Sequence, residues 1–423
     1  MAKAINLNFE ERMRIVQTAA KQHEVVMYLD SNNYPDTNGV FNWAILIGAT
    51  NIFETNAISP DPWKELASFI QNKKSPILGS FLTYDVKNCR ENLQSSNEDK
   101  TGFPLVACWE PLAIIAEKRD GQGLFYGKYE EFLVPSETLE EKTFHFENIS
   151  FVPQLTKAEY LLGFDKIQQA LQNGDIYEMN YCQHFSSTVA YIDPIELYKK
   201  LNTISPAPFS SLLKYKESWL ICSSPERFLL KKNNELLSQP IKGTSKRFAN
   251  EHENNAAMLQ LKENPKEINE NIMIVDLVRN DLSHFAIKNG VHVLELCKVY
   301  TFATVNHMIS TIKATVKNES EPTEILAKAF PMGSMTGVPK INALEIADAL
   351  ENFQRRLYSG SIGYFTNSGD FDFNVVIRSL TWNAQNGYIS LSAGSAVTIK
   401  ANGKDEYNEC MLKAEALFNS LKN

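Results

Sequence analysis

From Trp219 to Pro240 the chain reads as three strand segments in succession, Trp219 to Ser223, Arg227 to Lys231 and Leu236 to Pro240, with only short stretches between them. Apolar runs at Val25 to Leu29, Trp43 to Ile47 and Leu112 to Ala116, separated by Asn, Asp, Gly and Pro, extend the pattern and point to a mostly antiparallel sheet. Strands outnumber helices and do not alternate regularly with them, which favours an α+β fold over a doubly wound one. Helical spacing runs from Lys157 to Asn173, where Asn173-Gly174-Asp175 stops it, from Pro265 to about Asn280, up to Leu350 after a glycine-containing loop, and from Glu406 to Ser420. Further strands are expected at Val291 to Tyr300, Ser361 to Phe365, Phe371 to Leu380 and Tyr388 to Ser392. Met1 to Gln22 reads as an amphipathic helix and Gln94 to Gly102 as an exposed loop. The expected organisation is a β-rich part over 1–150 and a catalytic region over 151–423, both within one compact unit.

Composition narrows the class of ligand. A net charge of −8, with no basic stripe, argues against nucleic-acid binding. Six scattered cysteines form no Cys-x-x-Cys pair, so neither a zinc site nor a disulfide framework is expected, and a reducing cytoplasm fits. No apolar run approaches the ~18 residues of a membrane span, and the N-terminus lacks the apolar core of a signal peptide. A soluble protein with a small ligand is expected.

The stretch Pro240-Ile241-Lys242-Gly243-Thr244 places a lysine at the end of an apolar strand, shortly after Glu226 of Ser224-Pro225-Glu226-Arg227-Phe228. With a three-residue loop at Asn233-Asn234-Glu235, Glu226 and Lys242 fall opposite each other; with a two-residue loop they face apart. A desolvated lysine with a lowered pKa would serve as nucleophile or base, and Glu226 would be the matching acid. A solvated or salt-bridged strand end fits the same spacing. Glu270 shares a helix face with Met273, Ile274 and Leu277, and Glu409 follows Glu406 by one turn on the last helix. Two such carboxylates suit Mg²⁺, which keeps several waters, although both could be plain surface glutamates. Phe330 to Lys340 lacks Walker A spacing but has backbone amides ahead of a helix, fit for an anion. Arg378 interrupts an apolar strand and is a candidate carboxylate clamp or structural ion pair.

Taken together, Gly174 to Asn180, Ser224 to Phe228, Pro240 to Thr244, Glu270 to Leu282, Val305 to Thr311, Phe330 to Lys340, Gly360 to Tyr364, Ile377-Arg378 and Glu406 to Ala414 resemble the chorismate-utilising enzymes in order and spacing. Lysine in Pro-Ile-Lys-Gly-Thr resembles the aminodeoxychorismate synthase component I branch, where anthranilate synthases typically carry alanine. The resemblance implies an antiparallel β-sandwich wrapped by helices, with a cleft in which Lys242 attacks ring carbon 2 of chorismate while Glu226 protonates the departing 4-hydroxyl. Ammonia then adds at carbon 4 and expels the lysine, giving the precursor of para-aminobenzoate and folate. It further implies Mg²⁺ held by Glu270 and Glu409, a substrate pocket of Gly243, Thr244, Thr336, Tyr364, Arg378, Gly394 and Lys413, with Tyr364 and Arg378 on the enolpyruvyl carboxylate, and a part for His307. Ammonia is expected from a separate glutamine amidotransferase subunit, because no cysteine lies in a Gly-x-Cys-x-Gly elbow. Ala393-Gly394-Ser395-Ala396-Val397-Thr398 departs from the glycine-rich pattern of the resemblance. The rival assignments are an anthranilate synthase or isochorismate-type synthase, or a non-catalytic binding protein on the same fold.

Overall fold

The computed structural model describes residues 5–36, 38–57, 61–71, 73–91, 93, 95, 97–133, 149–317 and 320–422. Residues 1–4 of the expected first helix, and residues 94 and 96 of the expected loop, lie outside these. Two antiparallel sheets of eleven and ten strands dominate the described residues. In the first, Glu178–Thr188 and Tyr388–Thr398 pair side by side, with the short strand Gly337–Val338 added outside Glu178–Thr188. In the second, Val305–Val316 carries Glu235–Gln239 and then Ile241–Lys246 along one edge, and the long strand Ala286–Thr301 along the other. Both ends of the chain contribute to each sheet: Val25–Asp30 pairs with Phe209–Tyr215, and Ile77–Leu82 with Ser361–Thr366.

The sheets face each other across a core that includes Met27, Leu46, Phe81, Trp109, Leu220 and Ile362. Outside the first sheet, the helices Phe9–Gln22, Lys157–Asn173, Pro194–Ile204 and Gly403–Ser420 bury Val16, Ile167, Leu197 and Leu417 against Ile45, Ile221 and Leu391. Outside the second, Pro265–Ser283 and Pro322–Ala329 bury Ile274, Val278 and Ile325 against Leu229, Ile312 and Phe371. The result is the α+β fold expected from the strand pattern and the helix-wrapped antiparallel sandwich implied by the resemblance.

Local chemistry explains where elements begin and stop. Thr156 and Glu159 form a reciprocal capping box at the start of Lys157–Asn173, and Gly174, at φ 81°, ends that helix in the left-handed region. Asn264 caps Pro265–Ser283, with proline in its first turn. The expected continuous strand from Phe371 to Leu380 is instead two strands, Phe371–Asn374 in one sheet and Ser379–Asn383 in the other. The chain crosses between sheets in the intervening residues, where Arg378 takes φ 52°, a conformation no regular strand contains. In the expected exposed loop before Phe103, Thr101 is buried and its carbonyl accepts from Ser218.

Candidate active site

The hairpin Arg227–Lys232 to Glu235–Gln239 turns on two residues, with Lys232 opposite Glu235 and Asn233 at φ 55°. Its pairing slips by one residue between Leu230 and Arg227, which stands opposite Gln239, so the turn alone does not fix how Glu226 and Lys242 face. The hairpin then ends. After Pro240 the chain enters Ile241–Lys246, which pairs with Val305–Val316, Ile241 opposite Ile309 and Thr244 opposite His307. One extra residue is accommodated between those pairs, a β-bulge at Lys242-Gly243 with Gly243 at φ 94°. A bulge of this kind re-aims the adjacent side chain, and Lys242 is buried although Thr244 is exposed. A Cβ at residue 243 would lie 3.1 Å from Glu267 Oε2 and 3.2 Å from Met308 Cβ, so glycine also permits the close approach of helix Pro265–Ser283. Asn271 of that helix donates to the carbonyls of Lys242 and Met308, fixing the bulge from behind.

Inside, Lys242 Nζ donates to Glu178 Oε1 at 2.5 Å. Glu178 opens the strand Glu178–Thr188 of the other sheet, held there by Val338 opposite it and by Asn180 N–H donating to Thr336 O. Burial alone would lower the Lys242 pKa, but Glu178 and Glu270, with Glu226 behind them, outweigh it and raise it. The desolvated lysine expected from its position to have a lowered pKa is instead shifted upward, because Glu178, Glu270 and Glu226 stand around it. Glu226 is 4% exposed. Burial lifts its carboxyl to about 7 against the opposing pull of the Ser334 hydroxyl, Lys242 and the Ile241 N–H. Its backbone is pinned by Ser224 Oγ, which accepts from Glu226 N–H, and by Val375 N–H, which donates to Glu226 O.

Glu270 is raised to about 8, first by burial and then by Glu178, against Lys242 and Lys266. Its Oε1 is buried without a hydrogen bond, and so is Glu178 Oε2. Lys266 bridges the helices, 3.8 Å from Glu270 Oε1 and 2.8 Å from Glu406 Oε1, while Ser395 Oγ donates to the other oxygen of Glu406. Glu409 ion-pairs with Lys413 at 2.6 Å; burial raises its pKa, yet Lys413 wins and holds it below the usual carboxylate range. Among the described residues no three His, Cys, Asp or Glu side chains stand ready as a metal cage. Mg²⁺ needs none, since one or two carboxylates, waters and an anionic substrate suffice. The orphaned Glu270 oxygen and the all-carboxylate donors fit that ion.

His307 accepts from or donates to Thr244 Oγ1 at 2.9 Å and is 4% exposed; burial and then Arg378 pull its pKa to about 3, so the ring is neutral. Lys413 Nζ donates to Gly394 O at 2.9 Å, and Arg378 Nη1 to Lys413 O at 3.3 Å. A Cβ on Gly394 would lie 2.8 Å from Asn180 and Cys182, which accounts for glycine there. Thr336 is buried, its hydroxyl donating to Met332 O and Gly333 O.

Tyr364 is placed elsewhere. Its ring packs 5.2 Å from Phe41, and it borders a cavity with Asp36 and Arg227, the latter bound by Asp372 through two hydrogen bonds of 2.9 and 3.0 Å. It borders that cavity rather than standing beside Arg378, to which Tyr358 is a neighbouring tyrosine. Sequence reasoning also passed over Glu178, Lys266 and Asn271. For Glu178 a signal existed, a carboxylate at the first position of a buried strand just after the Gly174 stop.

The sequence model of the chorismate binding enzyme family matches residues 24–419. The chain is 40% identical over 269 residues to a protein of Oryza sativa subsp. japonica named probable aminodeoxychorismate synthase, chloroplastic, covering 63% of this chain and 30% of that one. It is 37% identical over 268 residues to aminodeoxychorismate synthase component 1 of Escherichia coli strain K12, covering 63% of this chain and 58% of that protein. The match thus spans between about a third and three fifths of these relatives. In structure, the chain is similar to anthranilate synthase component I from Streptococcus pneumoniae TIGR4, with a TM-score of 0.79 at 22% identity over 91% of this chain and 93% of that one.

Proposed function

This chain belongs to the chorismate binding enzymes, and from that premise we propose that it is an aminodeoxychorismate synthase, converting chorismate and ammonia to 4-amino-4-deoxychorismate. The observation that carries the reading is the bulge at Lys242-Gly243, which turns a lysine inward onto Glu178, with the protonatable Glu226 near enough to act on its charge. Names of the relatives point the same way.

Lys242 must lose a proton before it can attack, and Glu178, in contact with its ammonium, is the base at hand. The neutral amine then bonds to ring carbon 2, the ring double bonds shift, and the carbon 4 to oxygen bond breaks. Glu226 supplies the proton with which the hydroxyl departs as water, a role its pKa of about 7 suits near neutrality. Ammonia bonds to carbon 4, the electrons return, and Lys242 leaves as an amine that recovers its proton from Glu178. Splitting the exchange in two replaces one hindered substitution by two assisted ones.

Arg378 and Lys413 supply positive charge for the substrate carboxylates, and Gly243, Thr244, Thr336 and Gly394 shape the wall beside them. A neutral His307 orients the Thr244 hydroxyl. Glu270 and Glu409 would hold Mg²⁺, which supplies charge neutralisation for the ring carboxylate. A glutamine amidotransferase subunit would supply the ammonia.

Purified protein given chorismate, Mg²⁺ and ammonium should form 4-amino-4-deoxychorismate, convertible by a lyase to para-aminobenzoate. Direct formation of fluorescent anthranilate would reject the reading, and no turnover at saturating ammonium would leave a binding protein.

A further inference from the structure

Beside Glu226 lies a small cavity bordered by Ser238, Asp281, Met332 and Ser334, with about 20 Å³ of space for the centre of a water-sized molecule. That volume accepts one water or one ammonia and nothing as large as chorismate. Ser334 is 7% exposed and its Oγ has no hydrogen-bond partner. The hydroxyl pulls the Glu226 carboxyl's pKa down as a neighbouring donor, but makes no hydrogen bond of full geometry with it. A buried hydroxyl left without a full partner is destabilising, so the cavity suits a polar occupant. Asp281 stands on the same helix as Glu270, about 16 Å further along its axis at 1.5 Å per residue. It already holds an alkylammonium, Lys340 Nζ at 2.8 Å. The cavity therefore runs from a carboxylate that binds ammonium groups to the carboxyl that serves the reaction.

We propose that this cavity receives the ammonia of the amination step, Ser334 orienting it and Glu226 taking a proton from the incoming ammonium ion. The proposal rests on the synthase reading above. Glu226 gives its proton to the departing hydroxyl in the first step and is left as a carboxylate. An ammonium ion entering the cavity returns one proton to that carboxylate and becomes ammonia. The nitrogen lone pair then bonds to carbon 4, the bond between carbon 2 and the Lys242 nitrogen breaks, and Lys242 leaves with the electron pair as a neutral amine. Chorismate and ammonium are consumed; the aminated product and water are formed, and Glu226 is protonated again for the next turnover.

The test varies ammonium chloride at saturating chorismate and Mg²⁺, using the full chain without amidotransferase. Ser334→Val, which fills the cavity, should raise the KM for ammonium by about 10-fold or more, and Ser334→Ala by less, the loss of one hydrogen bond to a charged group being worth that much. The KM for chorismate should stay within about twofold. Intact-mass analysis without ammonium should show the Lys242 adduct, chorismate less water, forming in both variants as in the parent and then decaying more slowly when ammonium is added. An unchanged ammonium KM in both variants overturns the proposal and makes the cavity a water site only. If Ser334→Val fails to fold, Ser334→Ala alone decides by the same split between the two KM values. A parent protein that forms neither adduct nor aminated product sinks the synthase reading instead, and this proposal with it.

Discussion

Lys242 and Glu178 meet at 2.5 Å across the two sheets, one from the bulged strand Ile241–Lys246 and the other from the first position of Glu178–Thr188. Neither residue is more than 8% exposed. The contact is one of the causes that shift the Lys242 pKa upward.

Replacing Glu178 by Gln keeps a hydrogen-bond acceptor but removes the base. The expected outcome is a fall in kcat of about 10²-fold, the usual worth of a positioned general base, with little change in the KM for chorismate. Steady-state rates at several chorismate concentrations check it. Lys242→Ala should abolish the covalent adduct in intact-mass spectra; wild-type rates from that variant would end the covalent role.

Glu226 must be protonated to act. Its carboxyl titrates at about 7, so kcat/KM for chorismate should be highest below that value and fall as pH rises through it, the carboxylate having no proton to give. Glu226→Gln should lower activity by about 10²–10⁴-fold and remove this limb of the profile. The limb persisting in Glu226→Gln would assign it to another group.

Glu270→Gln and Glu409→Gln should each raise the Mg²⁺ concentration needed for half-maximal rate, by about 10-fold or more. A charge lost from a two-carboxylate site is not made up by water. Titrating Mg²⁺ at fixed chorismate and ammonium measures the shift.

Gly243→Ala would force a side chain onto a residue at φ 94° and bring Cβ to 3.1 Å from Glu267 Oε2. Stability should fall by about 1–2 kcal/mol, read as a lower midpoint in urea. Activity should fall further than stability, because the same bulge aims Lys242.

Much of the fold was legible because it is written in local chemistry. The capped helix Lys157–Asn173 has the bounds that its sequence pattern gives, and the edges of Trp219 to Pro240 follow alternation and turn residues closely. Phe371 to Leu380 misled for an equally physical reason. A strand that changes sheets keeps its apolar composition on both sides of the crossing, and only the backbone angle at Arg378 marks the break. Tyr364 was expected at the substrate from the resemblance alone, whereas its side of strand Ser361–Thr366 faces Phe41 and the Arg227–Asp372 pair.

The sequence by itself determined the sandwich class and the segment Pro240 to Thr244, with its lysine before a glycine. Tertiary structure decided which charges that lysine meets. A hairpin register brings together residues close in the chain, and here it slips by one residue between Leu230 and Arg227 and ends at Gln239, short of Lys242. The bulge, a strand of the other sheet and the helix Pro265–Ser283 then gathered Glu178, Glu226 and Glu270 around Lys242. A pKa is set by the sum of desolvation and every neighbouring charge. The direction of the Lys242 shift thus depended on partners from distant parts of the chain, which no local pattern records.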